Sequence, residues 1–173
     1  MNDNKSAFRS NDYDRKITQI LPFCELFYEQ VIELVKIFNH NAVKWLDIGC
    51  GTGKMGSVVI TAIQVNHYLR IDERRIALKK CYEALKDNGV FISFENFAPF
   101  TNLGKYVYLE KWKKYQMKQG KSFEECQKHI NRYEKDYFPI SLSENLEQMR
   151  NCGFKAVEIL WLSNMQVGLW GIK

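Results

Sequence analysis

The sequence predicts an α/β fold, with short buried strands set between amphipathic helices and a hairpin at its C-terminal end. Three observations predict it. Residues 43–48 and 58–63 are apolar runs of strand length, the second rich in β-branched side chains. Residues 17–38 and 72–86 repeat their apolar positions at helical spacing. Residues 157–162 and 165–172 read as two strands joined by the short Ser163-Asn164 turn.

Residues 1–10 are polar and read as a frayed end. Tyr13-Asp14-Arg15-Lys16 opens an amphipathic segment over residues 17–38, with Ile20, Phe23, Phe27, Val31, Leu34 and Phe38 at helical spacing and Pro22 in its first turn. Asn39-His40-Asn41 breaks it. The run 43–48 then reads as a buried strand entering a glycine-rich turn. Gly49, Gly51 and Gly53 remove side chains where the backbone turns tightly and a ligand can come close. Asp47, just before the turn, can accept hydrogen bonds from loop amides or from a cationic ligand group. Residues 58–63 follow almost at once and leave no room for a helix, although parallel neighbours need a crossover of about a dozen residues.

The helix over 72–86 starts with Asp72 and Glu73, which suit its dipole, and Ile76, Leu78, Tyr82 and Leu85 mark its buried side. Gly89 reads as its left-handed cap. A strand over 90–94 leads to a loop over 95–100 and a long helix over 102–119, closed by Gly120. Ser122 and Glu125 form a capping box for a helix reaching about Tyr137, and Ser141 and Glu144 form a second one, whose helix ends at Gly153. Tyr106, Tyr108, Trp112 and Tyr115 read mainly as core packing, with a pocket wall as the functional alternative.

A chain of 173 residues with 46% hydrophobic content fits one domain with a real core. The net charge of +5 is dispersed, and the lysines of residues 105–121 read as a solvated helix face rather than a nucleic-acid surface. No apolar run is long enough for a transmembrane span, and the N-terminal residues lack the apolar core of a signal peptide. Five cysteines, widely spaced and without a C-x-x-C pair, point to reduced thiols in a cytoplasmic protein. Three scattered histidines argue against a metal centre.

The string Leu46-Asp47-Ile48-Gly49-Cys50-Gly51-Thr52-Gly53 resembles the first motif of class I S-adenosylmethionine-dependent methyltransferases of the small-molecule type. The competing dinucleotide pattern would place a third glycine where Lys54 stands. Residues 61–69 resemble the family's fourth strand and following loop, residues 72–86 its next helix, and residues 88–93 the turn into its fifth strand. The block between the first and fourth strands, about 60 residues at roughly 30 per βαβ unit, is missing. The junction at Gly56-Ser57 fits a short engineered linker, a natural deletion, or a stretch absent from the sequence as written.

The resemblance implies a Rossmann-like methyltransferase sheet reduced from the order 3-2-1-4-5-7-6 to 1-4-5-7-6, with an antiparallel last strand and flanking helices. It divides a single domain into N-terminal lid helices (1–41), a core truncated after residue 55 (42–100), a helical lid insertion (101–137), and a C-terminal helix and hairpin (138–173). It implies S-adenosyl-L-methionine as cofactor and a small-molecule methyl acceptor as partner, with neither nucleic acid nor membrane. Asp47, Gly49, Cys50, Gly51, Thr52 and Gly53 would surround the methionine part, with Gln64 and Val65 flanking it. Tyr13, Arg15 and Lys16 would close over the cofactor, with a surface helix start as the alternative. His67 would face the donor methyl as base or acceptor contact, with a loop or capping role as the alternative. In the family an acidic residue ending the second strand binds the ribose hydroxyls. That strand is missing here, so activity is expected to suffer. The first strand becomes a bare edge able to pair with a second copy. The rival reading is a non-catalytic truncated or engineered scaffold that self-associates.

Overall fold

A computed structural model of the chain describes residues 13–38, 45–48 and 57–173. The N-terminal segment forms two helices where one was expected, α1 (Tyr13–Ile20) and α2 (Cys24–Phe38). Pro22 lies between them, not within a first helical turn, and Phe23 takes a left-handed backbone (φ 62°). A proline lacks the N–H that would continue the ladder, and a left-handed residue cannot extend a right-handed helix.

Five strands form one sheet: β1 (Trp45–Ile48), β2 (Ser57–Ile63), β3 (Leu85–Asn96), β4 (Ala156–Ser163) and β5 (Gln166–Ile172). Their spatial order is β1-β2-β3-β5-β4. The first three run parallel, β5 lies antiparallel to β3, and β4 pairs antiparallel with β5. This is the order 1-4-5-7-6 expected from the resemblance. Ile48 lies opposite Ala62, so Ser57 starts at the far end of the sheet from Ile48. That return is about 16 Å at 3.3 Å per residue. The eight residues that make this return lie outside the described residues.

β1 was expected to be buried and is not. Trp45 is 47% exposed, and exposed positions alternate with half-buried ones along the strand. Among the described residues β1 has a neighbour only on its β2 side.

Helices α3 (Ile71–Ala84) and α6 (Leu142–Cys152) cover one face of the sheet, where Leu78, Cys81 and Met149 meet Ile60, Phe91 and Leu169. α2 covers the other face through Phe27, Val31 and Leu34 against Val90, Ile92 and Phe94. Phe27 stacks on Phe94 with centroids 3.8 Å apart. A Cβ on Gly168 would sit 2.8 Å from the Phe27 ring, so that glycine is what allows α2 its close approach. A third cluster joins α1 to α4 (Asn102–Lys118) and α5 (Phe123–Ile130), around Ile20, Trp112, Ile130 and Tyr137. Trp112 donates its indole N–H to the Ile20 carbonyl (2.6 Å), and the Tyr115 hydroxyl donates to the Thr18 carbonyl (2.7 Å).

Both capping boxes form as read from the sequence, and hydrogen bonds from Ser141 hold the Glu144 carboxyl below its usual range. Gly153 ends α6 in the left-handed region (φ 109°). Three local expectations fail. The left-handed residue after α3 is Asn88, not Gly89, and Gly89 instead serves close packing, since a Cβ there would lie 2.8 Å from the Lys86 carbonyl. The buried side of α3 is Arg74, Leu78 and Cys81, with Ile76 58% exposed. α5 stops at Ile130 because the following residues turn, and Glu134 is left-handed (φ 62°).

Two predictions follow from this core. Burial beside Trp112 pushes the His129 imidazole down from 6.5 to about 4, and Arg132, Lys121 and His67 add to the shift. The unfolded chain therefore binds more protons between those two values, so the stability His129 contributes is complete above 6.5 and is lost as pH falls toward about 4. Urea unfolding of His129→Gln across this range should lose about 1–3 kcal/mol less than the natural chain. Gln116 is fully buried, and neither polar atom of its side-chain amide has a partner. Gln116→Met keeps the shape and removes the unpaired amide, and should raise the unfolding free energy read from urea titration by about 1–2 kcal/mol.

Candidate functional site

The C-terminal ends of β1, β2 and β3 lie side by side, and in open α/β sheets ligands bind beyond such ends. Alternation sends Leu46 and Ile48 toward the α3–α6 core and Trp45 and Asp47 to the opposite side. There the Thr61 hydroxyl accepts from the Trp45 indole (3.1 Å) and donates to Asp47 Oδ1 (2.6 Å). One β2 side chain thus orients the carboxylate next to the glycine-rich turn. Gly49, Cys50, Gly51, Thr52 and Gly53 lie outside the described residues. The backbone of Tyr13 and Arg15 belongs to α1, but their side chains also lie outside the description, while Lys16 is half-buried on the same helix.

Gln64 ends β2 in a left-handed conformation (φ 55°) that turns the chain out of the strand. Its backbone N–H donates to the Phe94 carbonyl (2.7 Å), and its Oε1 accepts from Asn96 Nδ2 (3.4 Å). Its Nε2 is buried without a partner. Val65 follows, half-buried, and its carbonyl accepts from the Tyr68 N–H at the start of a single 3-10 turn, Asn66–Tyr68.

Glu95 holds this loop. Its carboxylate is 1% exposed and accepts from the backbone N–H of Asn66 (3.3 Å) and of His67 (3.0 Å), and lies 3.2 Å from His67 Nδ1. His67 is itself 2% exposed, with its carbonyl accepting from the Phe138 N–H (2.6 Å) and its ring against Tyr68 and Tyr137. Sequence reasoning did not single out Glu95. Its signal was a lone acid inside the apolar run from Val90 to Phe97.

A cavity of about 330 Å³ opens beside Asn96, walled by α4, by Pro22 and Phe23 of the α1–α2 turn, and by the residues joining β4 to β5. Of the four aromatics read on α4, Tyr108, Trp112 and Tyr115 line it, while Tyr106 is 64% exposed and does not. Among the described residues no cluster of His, Cys, Asp or Glu could hold a metal ion, and no helix is long and apolar enough to cross a membrane.

Replacing Glu95 by Gln keeps the shape but turns an all-accepting carboxylate into a group with one accepting oxygen. The change should cost about 2–4 kcal/mol in urea unfolding and speed hydrogen exchange at the Asn66 and His67 amides. Unchanged exchange at both amides would show that the loop is held by other means.

No protein-family model matches the chain. A carboxy-S-adenosyl-L-methionine synthase of Nautilia profundicola is 29% identical over 109 residues, covering 63% of this chain and 47% of that protein. One from Helicobacter pylori is 31% identical over 129 residues, covering 75% of this chain and 53% of that protein. The chain thus spans about half the length of the curated relatives it matches. Among solved structures, the S-adenosylmethionine-dependent methyltransferase SibL in its apo form aligns at 11% identity with a TM-score of 0.49, covering 88% of this chain and 41% of that one. Human N-acetylserotonin methyltransferase in complex with SAM aligns at 10% identity with a TM-score of 0.47, covering 71% and 31%. With the strand order β1-β2-β3-β5-β4 and these sequence relatives together, the chain has a class I S-adenosylmethionine-dependent methyltransferase-like fold.

Proposed function

We propose that the chain binds S-adenosyl-L-methionine at the C-terminal ends of β1 and β2 and catalyses transfer of its methyl group to a small-molecule acceptor seated beneath α4. The observation that carries this reading is the placement of Asp47, Gln64 and Asn96 at adjoining strand ends, with Asn96 bordering the cavity and bonded to Gln64. The matched relatives are named as synthases of carboxy-S-adenosyl-L-methionine, which supports a site for that class of sulfonium compound.

The residues fit one half of the cofactor. Asp47, oriented by Thr61, suits the ammonium of the methionine part, and the unpaired Gln64 Nε2 suits its carboxylate. The ribose hydroxyls find no comparable partner among the described residues. Asp72 faces Arg75 (3.5 Å), and Glu73 accepts from the Arg70 backbone N–H (2.9 Å). When bound, the cofactor supplies a methyl group already activated by its sulfonium. The work left to the chain is orientation and exclusion of water, and orientation alone is worth about 7–11 kcal/mol in well-aligned reactions. In this reading His67 is a positioning residue rather than a base, because its ring is buried and its Nδ1 faces Glu95.

A second reading is a non-catalytic scaffold that pairs with another copy through the β1 edge. It is favoured by the half-exposed Trp45 and by the missing ribose contact. Calorimetric titration with S-adenosylhomocysteine separates the two. The first expects binding near 0.1–1 mM, about 5 kcal/mol, weakened at least about tenfold by Asp47→Asn. No heat up to about 5 mM, together with a mass that doubles as concentration rises, would leave only the scaffold.

A further inference from the structure

The cavity beneath α4 has a charge pattern that the fold does not explain. Lys111, Lys114 and Lys118 recur at helical spacing and all border it, whereas no Asp or Glu does. Lys111 stands 6.0 Å from the Tyr108 ring, and neither Lys114 nor Lys118 has an ion-pair partner among the described residues. Neighbouring Lys113, which does not border the cavity, is paired with Glu110 at 2.5 Å. Lys105, also outside the cavity, is paired with Glu134, so within α4 the acids go to the lysines that do not border the cavity.

The walls are flat and apolar. Trp112 and Tyr115 have their N–H and O–H donors spent on the Ile20 and Thr18 carbonyls, so towards the cavity they offer ring faces and edges but no hydrogen-bond donor. Phe23, on the α1–α2 turn, also lines the cavity. At the wall formed by β5, Gln166 is 3% exposed and its side-chain Oε1 has no partner. A buried amide oxygen without a donor is costly in a folded protein, and a ligand donor would relieve it. A volume of about 330 Å³ sits at the small end of small-molecule sites and suits a ligand built on one ring.

We propose that this cavity binds a small flat organic anion that also carries a hydrogen-bond donor. Its ring lies against Trp112 and Phe23, its acidic group meets Lys111, Lys114 and Lys118 at the mouth, and its donor meets Gln166 Oε1. That this ligand is the methyl acceptor rests on the function proposed above, whereas its binding does not. A carboxylate and a phosphate share the required chemistry.

The test is a titration of the full chain, followed by calorimetry and by Trp fluorescence, with four probes: 4-hydroxybenzoate, its neutral counterpart 4-hydroxybenzamide, benzoate, and phenyl phosphate. 4-Hydroxybenzoate should bind at least about tenfold more tightly than the amide, and Lys114→Glu with Lys118→Glu should remove that preference. Gln166→Leu should remove the preference for 4-hydroxybenzoate over benzoate. Both lysines are exposed, so the double variant should keep its circular dichroism and remain informative even if the buried Gln166 variant fails to fold. Tighter phenyl phosphate binding would identify a phosphate ligand, and tighter hydroxybenzoate binding a carboxylate. Equal binding of acid and amide, no binding below about 10 mM, or full affinity in the double lysine variant would overturn the proposal. S-adenosylhomocysteine is titrated into the same samples. Anion binding without cofactor binding would retain this site and reject methyl transfer, and the reverse would do the opposite.

Discussion

A carboxylate removed from water must be surrounded by donors, and Glu95 imposes that requirement on the centre of this molecule. It stands near the C-terminal end of β3, the strand that pairs parallel with β2 on one side and antiparallel with β5 on the other. Its donors come from the loop that leaves β2, the Asn66 and His67 backbone and the His67 ring. The conformation of that loop is therefore set by the need to satisfy a charge, not by local preference. The His67 carbonyl then takes the Phe138 N–H, which fixes the segment ahead of α6. One buried side chain links the central strand, the loop at the strand ends and the entry to the last helix.

The rest of the fold is a division of apolar surface. α2 takes one face of the sheet and α3 with α6 the other, and aromatic stacking of Phe27 on Phe94 anchors the first. Truncating a ring at such a place typically costs about 3–5 kcal/mol. α1 and α4 belong to neither face. They are joined by side chains that donate to carbonyls of the last turns of α1, and the space left between this pair and the sheet is the cavity. Hydrogen bonds between elements distant in sequence thus frame a concavity bordered by a strand-end residue, Asn96.

Much of the fold was legible in the residues. The two serine-glutamate capping boxes, the acidic start of α3, the glycine that ends α6 and the C-terminal hairpin all carry local chemistry that acts within a few residues. The strand order was legible through family resemblance. The misses have two causes. The exposed side of α3 and the role of Gly89 depend on which neighbour an element meets, and periodicity carries no record of that, whereas the break at Pro22 is local, set by the proline and the left-handed Phe23 after it. The site was legible in part. Asp47 and Gln64 were marked by their place at strand ends, but Glu95 was not, because an acid in an apolar run looks like a strand boundary until its donors are known.

The sequence by itself determined most of the element types and the residues at their ends, because capping, turn chemistry and hydrophobic period are short-range forces, while the parallel run of the first three strands was legible only through the resemblance. Only the tertiary structure decided that β1 is an edge with an exposed tryptophan, that His67 is buried against Glu95, and that the lysines of α4 split between two paired with acids, Lys105 and Lys113, and a row bordering a cavity. Burial and charge pairing depend on distances between residues far apart in the chain, and those distances exist only once the helices have packed on the sheet.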